Sequence, residues 1–474
     1  MKKCVIFILA CILFSNCKKK NAEEILVPPG PNPVGLTSEP GEELSAGSAT
    51  VISTSKDAFG FQLSNMPASM SADFSVGNSF FRLPWVIAPS STSARDGLGP
   101  MLNANSCGTC HGLDGRGRPP IEGESEFTSM LLRISLPGEG IHGEPVDVPD
   151  YGDQLNDKAI PGVIPEGKPF ITYTEIPGKY SDGTSYSLRN PTYTILDFAY
   201  GNPGNILISP RVAPQLPGLG LLEAVEESLI LSSADPYDVN ADGISGRANY
   251  VWNATLLTKT LGRFGWKANQ PNLLQQTSGA FNGDMGITSS IFQYENLKGK
   301  SKALFDTIPS GGKPEIQDSI LKKIVFYCQT LSVPARRNWK EQNVLSGKTL
   351  FNELGCHLCH TPKMVTGKDA VFPEMANQTI RPFTDLLLHD MGEGLADGRT
   401  DFLASKSEWR TPPLWGIGLI KTVNNHTFFL HDGRARNLEE AILWHGGEAE
   451  QAKMKYTRLN KLDRDNLIKF LESL

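Results

Sequence analysis

Cys107-Gly108-Thr109-Cys110-His111 and Cys356-His357-Leu358-Cys359-His360 are two copies of C-x-x-C-H in one chain, and no other feature constrains the fold as strongly. Two thiols three positions apart can each bond one vinyl group of a single haem, and the histidine that follows presents its imidazole to the iron. Histidine occupies 8 of 474 positions, so two unrelated C-x-x-C pairs each trailed by one would be a rare coincidence. Blander readings account for less. A Cys4 zinc site would leave both trailing histidines without a role. A disulfide closing a two-residue loop is a poor staple for a large domain, although Cys107-Gly108-Thr109-Cys110 also looks like a redox-active dithiol. The expectation is two covalently bound haem c groups, attached at Cys107, Cys110, Cys356 and Cys359, with His111 and His360 as iron ligands.

The flanks of the second motif fit a cytochrome c domain. Before it, Val344, Phe351 and Leu354 share one helical face, with Gly347 placed where another helix can cross closely. After it, Thr361-Pro362 offers a proline carbonyl as acceptor for the His360 ring N–H. The chain closes on an amphipathic stripe of Leu467, Ile468, Leu471 and Leu474. A second closing helix is predicted over Glu315–Leu331, where Ile320, Ile324, Tyr327 and Leu331 recur at helical spacing and Pro334 ends the run. An insertion of about 200 residues then separates the first motif from its closing helix. With 46 Gly and 33 Pro, long loops are expected. The expected architecture is therefore mainly α with long loops, built as two cytochrome c-like haem domains. These are 56–334, carrying the large insertion, and 335–474.

Lys2 and Lys3 precede an apolar run from Cys4 to Phe14, followed by Ser15, Asn16 and Cys17 and three lysines. This pattern reads as an export signal over 1–16, too short to span a bilayer as a permanent helix. Phe14-Ser15-Asn16-Cys17 resembles a lipobox, which would make Cys17 the lipidated first residue; a cleaved signal without an anchor is the alternative. Residues 17–55, rich in Pro, Gly, Ser and Glu, read as a flexible tether. The expected location is the cell envelope, as a periplasm-facing or outer-membrane lipoprotein that meets the membrane through its lipid anchor only. A net charge of −6 argues against nucleic-acid binding, which needs clustered cations to replace phosphate counterions. Three of the eight cysteines fall in the export segment and four in the motifs. Only Cys328 remains, read as a buried inert thiol, so no pair is left for a disulfide.

The chain resembles the bacterial di-haem oxidoreductases, also described as di-haem peroxidases and sometimes labelled thiol oxidoreductases, over about residues 60–474. The residues that carry the resemblance are Ser187-Leu188-Arg189-Asn190-Pro191, Arg211-Val212-Ala213-Pro214 through Glu223-Ala224, Gly262-Arg263-Phe264-Gly265-Trp266-Lys267-Ala268 and Asp284-Met285-Gly286-Ile287-Thr288. His431-Asp432-Gly433-Arg434, followed by Leu438-Glu439-Glu440-Ala441, is more distantly similar to the two-domain bacterial cytochrome c peroxidases. It is also similar to the related haem enzyme that matures the tryptophan-derived cofactor of methylamine dehydrogenase. In that pattern the residue four beyond the Leu-Glu-x-Ala run is the distal ligand of the C-terminal haem, usually Met; here it is His445. A bis-His pair of His360 and His445 would stabilise ferric iron and lower the potential. His431 is read as structural, bonding a propionate or the backbone. The resemblance also implies that Asp284 lies over the N-terminal haem as acid/base, with Met285 either ligating or packing. His142, the only other histidine between the motifs, stands as a displaceable ligand or an exposed loop residue.

Asp238-Val239-Asn240-Ala241-Asp242-Gly243 matches the opening of an EF-hand-type calcium loop, with Asp238, Asn240 and Asp242 as oxygen donors. The twelfth position is Asn249 rather than Glu, and an Asx-rich turn without metal competes with the calcium reading. Taken together, the expected function is a di-haem c-type cytochrome oxidoreductase that moves electrons between its haems and reacts with hydrogen peroxide or another small oxidisable substrate at the N-terminal one. A redox partner protein or quinol-chain donor would supply the electrons. The competing reading is a non-catalytic electron-transfer cytochrome. Trp266 and Trp444 stand as relays between the haems or as core packing.

Overall fold

The computed structural model describes residues 37–121, 124–305 and 307–474; the export segment and Cys17 lie outside them. Helix α1 (Ser71–Arg82) leads into a one-turn helix α2 (Cys107–Cys110). The Ser106 side chain caps α2 by accepting the Thr109 N–H, which satisfies one orphan donor of this short turn. The insertion that follows is largely β. Strand β1 (Met130–Glu139) pairs antiparallel with β2 (Pro145–Val146) on one side, and β3 (Lys168–Lys179) with β4 (Ser185–Leu196) form a separate long hairpin. Strand β5 (Leu207–Val212) completes the first sheet against β1 in the register Met130↔Val212 to Ser135↔Leu207. A short hairpin of β6 (Tyr250–Asn253) and β7 (Thr258–Leu261) precedes helix α3 (Leu273–Met285).

Helix α4 (Asp318–Thr330) then runs back against α1. In the C-terminal part, α5 (Gln342–Glu353) precedes the second motif, which begins in a single 3-10 turn, Cys356–Leu358. Strands β8 (Leu388–Asp390) and β9 (Glu408–Arg410) pair antiparallel. Helices α6 (Leu438–Trp444), α7 (Glu450–Arg458) and α8 (Lys461–Ser473) close the chain.

Each motif follows a helix that crosses a later one through a glycine. A Cβ on Gly77 of α1 would lie 2.2 Å from the Lys323 carbonyl of α4, and one on Gly347 of α5 would lie 2.0 Å from the Asn466 carbonyl of α8. Only a missing side chain permits backbones this close. Beside the second crossing, the Phe351 and Phe470 ring centroids are 5.1 Å apart and those of Phe351 and Phe383 5.9 Å. Gly347→Ala is therefore expected to push α5 and α8 apart at a cost of about 1–3 kcal/mol, measured as a lower denaturation midpoint of the full chain.

The mainly α expectation is corrected. Helix accounts for 29% and strand for 19%, because the insertion builds hairpins rather than loops. Its strands carry Pro137, Pro169, Pro177, Pro191 and Pro210, which count against a central strand. Four of the five fall on edge strands, in the two-stranded β3–β4 ladder or in β5, where half of the N–H groups face away from the partner and proline removes no bond. Pro137 is in β1, the middle strand of the first sheet, where the pairing with β2 breaks register between Leu136 and Glu139. Alternating Phe170, Thr172, Thr174 and Ile176, with Asp182-Gly183 at the turn, is a recognisable hairpin signature.

Residues 39–51 fall in the stretch read from the sequence as a tether, yet they pack into the body. Glu42 is 3% exposed and receives both Arg336 and Lys348, while Ala46 and Ala49 are fully buried. The polar composition concealed a paired carboxylate.

Candidate functional site

The two motifs open onto one cavity of about 680 Å³, whose wall includes Cys110, His111, Cys356, Cys359, His360 and His445. All four motif cysteines are free thiols. Burial pushes Cys107 and Cys356 up to about 12, so they stay protonated, the opposite of what a thiolate-driven dithiol exchange needs.

Each motif histidine is oriented from a distance. The His111 Nδ1–H donates to the Pro214 carbonyl at 2.8 Å, and the His360 Nδ1–H donates to the Phe383 carbonyl at 3.0 Å. These bonds leave Nε2 as the lone-pair nitrogen. Burial lowers both imidazoles to about 4, so they are neutral and able to ligate. The expected Pro362 carbonyl is not the acceptor for His360; Phe383 reaches it across the fold.

His445 follows the last turn of α6. Its Nδ1–H donates to the Ala441 carbonyl at 2.7 Å, and burial holds its pKa below the usual imidazole value. It lowers the pKa of His360 through space, so the two rings share the second-motif end of the cavity.

The residues present fit haem. Arg116 and Arg410 are each 7% exposed and line the cavity, and their side chains bond backbone carbonyls: Arg116 those of Phe428 and Leu430, Arg410 those of Gly265 and Thr411. No carboxylate pairs with either among the described residues. Burial pulls both guanidinium groups down to about 10. Asp432 acts on Arg116 and Asp385 on Arg410 only through space. Buried cations without an ion-pair partner are costly unless an anion joins them, and haem brings two propionates. Free thiols, neutral histidines and unpaired cations around one cavity form a donor set suited to two haems.

Asp284, in the last turn of α3, lines the same cavity. Burial raises its pKa, opposed by Arg133 and by a 2.8 Å hydrogen bond from Gln154 Nε2. It raises the pKa values of Cys107 and Cys110 through space, which puts it at the first-motif end. Its neighbour Met285 is 2% exposed in the hydrophobic core and lies outside the cavity wall. His142 is also outside that wall, stacked on Trp252 with centroids 3.6 Å apart.

The acidic loop folds as a turn held by its own backbone. Asp238 accepts the Gly243 N–H, Asn240 accepts that of Asp242, and Asp242 accepts that of Ile244. No cluster of three or more His, Cys, Asp or Glu able to hold a metal ion occurs among the described residues. Asn249 bonds the carbonyls of Lys267 and Asp401 instead. Cys328 is 6% exposed, its thiol pushed up by burial.

Two cavity residues, His389 and Trp409, carry no sequence signal. His389 is 2% exposed between two carboxylates, with Nε2 2.7 Å from Asp385 and Nδ1 2.7 Å from Glu448. Burial disfavours its charge, but Cys359 and Asp385 raise its pKa well above the usual value. Trp409 stacks on His431 at 3.7 Å, and the Lys267 ammonium lies 4.5 Å from the ring centroid of Trp409. The Trp266 indole N–H donates to the Val212 carbonyl at 2.8 Å. Trp266 and Trp409 line the cavity, whereas Trp444 does not.

A family described as "Di-haem oxidoreductase, putative peroxidase" matches residues 41–474. Comparison with curated protein sequences returns no match. Among solved structures, the chain is similar to a hydrazine synthase of Kuenenia stuttgartiensis pressurised with 20 bar xenon. That match has 13% identity, covers 98% of this chain and 100% of that one, and has a TM-score of 0.34. A likeness this distant bears on neither fold nor activity.

Proposed function

The chain belongs to the di-haem oxidoreductase family, and on that premise we propose that it is an envelope-facing cytochrome that reduces hydrogen peroxide at its first motif with electrons received through its second. Cys107, Cys110 and His111 would hold one haem, and Cys356, Cys359, His360 and His445 the other. When bound, the haems supply iron centres that exchange electrons singly. The observation that carries this reading is the asymmetry of the cavity. The second-motif end offers a second neutral imidazole, His445, whereas the first-motif end offers a carboxylate, Asp284.

A second imidazole at that end would favour an electron-transfer role, because two imidazole donors would leave no site for a substrate. A carboxylate with a raised pKa favours proton transfer, which peroxide reduction requires. Asp284 Oδ could take a proton from one peroxide oxygen and return it to the other, which leaves as water when the O–O bond breaks. Two electrons supplied through the haems and two further protons would convert the remaining oxygen to a second water. Gln154 holds the carboxylate in place. Arg116 and Arg410 bind the propionates and neutralise them within the buried cavity.

Spin-state spectroscopy during a redox titration tests the reading. One haem is expected to stay low-spin and unreactive, while the other binds cyanide and reacts with peroxide in the half-reduced protein. Two unreactive low-spin haems would overturn the proposal in favour of a pure electron carrier.

A further inference from the structure

A second cavity of about 330 Å³ lies behind Asp284, and its lining includes Gln154, Asn156, Asn282, Gly283, Gln293 and Asn296. The five amides among them can each both donate and accept hydrogen bonds. The charged Asp153, Glu295 and Lys298 share the lining, Asp153 ion-paired with Arg133 and Lys298 with Asp147. The chamber differs in kind from the haem cavity, whose exposed lining is mostly apolar.

The wall between the two cavities is thin. Gly283 faces the second cavity, and the next residue, Asp284, faces the first. Gln154, only 3% exposed, spans the boundary. Its Nε2 lies 2.8 Å from Asp284 Oδ1, 2.7 Å from Asn103 Oδ1 and 3.2 Å from the Gly283 carbonyl. Asn103 is itself part of the haem-cavity wall. No side chain on Gly283 fills the space beside Gln154; a Cβ there would already lie 3.5 Å from Gln154 Oε1.

Gln154 Oε1 is buried and has no hydrogen-bond partner. A buried carbonyl oxygen without a donor is costly unless a small molecule supplies one, and this oxygen borders a polar space large enough to hold several waters. A ligand suited to it is small and uncharged and has both O–H donors and oxygen acceptors.

We propose that this amide-lined chamber is the inlet through which hydrogen peroxide reaches Asp284, with Gln154 Oε1 as its docking acceptor. The proposal rests on the reading that the first-motif haem reacts with peroxide. Water shares the same hydrogen-bonding chemistry and can leave by the same route. The amides suit such traffic because each can both donate to and accept from either species.

The test is stopped-flow binding of cyanide and reaction with hydrogen peroxide, using the half-reduced, haem-loaded full chain. Gly283→Leu fills the chamber against Gln154, and Asn282→Trp obstructs it from the neighbouring position without touching the wall. Each is expected to slow cyanide association about tenfold or more and to slow dissociation by the same factor, leaving Kd unchanged, because a route alters rates in both directions. The second-order rate with peroxide should fall in parallel. Association as fast as in the parent in both variants, or a weaker Kd with no change in association rate, would overturn the inlet. If Gly283→Leu does not fold, Asn282→Trp alone decides between these outcomes. A parent protein that reacts with neither probe overturns the peroxide reading itself, and the inlet with it. A reactive parent whose rate both variants leave unchanged overturns the inlet alone.

Discussion

His445→Ala is expected to turn half of the haem in the protein from low-spin to high-spin. The His445 side chain has what a ligand would need: its Nδ1–H is tied to the Ala441 carbonyl at 2.7 Å and burial disfavours the charged ring. Alanine leaves the α6 backbone free to persist, since the N-cap bond from Asn437 to the Glu440 N–H lies at the far end of the helix. What it removes is the second imidazole facing His360. Electron paramagnetic resonance and visible absorption would show one low-spin signal replaced, and the midpoint potential of that haem should rise, because imidazole stabilises the ferric state. Glu448, three residues on, bonds His389 and Ser245, so the loop beyond is anchored independently of residue 445. An unchanged spectrum would refute the ligand assignment. A spectrum that changes at both haems would place His445 elsewhere in the electron path.

What the sequence revealed depended on how local each interaction is. The C-x-x-C-H motifs are complete within five residues, and Gly347 sits within a helix whose apolar spacing already implied a partner. The acceptors that orient the motif histidines are not local. Pro214 is 103 residues from His111 and Phe383 is 23 residues from His360. Proximity along the chain pointed to Pro362, but folding selected a carbonyl from another segment. The hairpin of β3 and β4 was obscured in a different way. Its alternation and Asp-Gly turn are legible, but its prolines count against a strand unless the sheet is known to have only two. Met285 buries its side chain in the core and His142 stacks on Trp252, so neither lines the cavity. Trp409 and Gln154 acquire roles only from neighbours distant in sequence, and His389 needs Glu448, 59 residues on, as well as Asp385 four residues before it, so no spacing rule alone could have found them.

Asp284→Asn is expected to lower kcat/KM for hydrogen peroxide by about 10²–10⁴-fold, the usual contribution of a positioned general acid–base. The substitution is nearly isosteric and keeps an Oδ1 that can still accept from Gln154, so the 2.8 Å bond has no reason to break. Haem content and cyanide affinity should therefore stay close to those of the parent, separating loss of proton transfer from loss of the site. The pH profile gives the sharper readout. Burial raises the Asp284 pKa, while Arg133 and the Gln154 bond partly offset the effect. Its first task is to accept a proton, which requires the ionised form. Activity should thus fall as pH drops through the raised pKa, and this acid limb should lie above the range of an exposed carboxylate. In the asparagine variant the limb should vanish, because no group at position 284 can titrate. If the limb persists at the same pH, the titrating base lies elsewhere. If the rate is also unchanged, the carboxylate serves only to shape the cavity wall. Removing Arg133 as a cation, in Arg133→Met, should move the limb to still higher pH, since the charge that favours ionised Asp284 is gone.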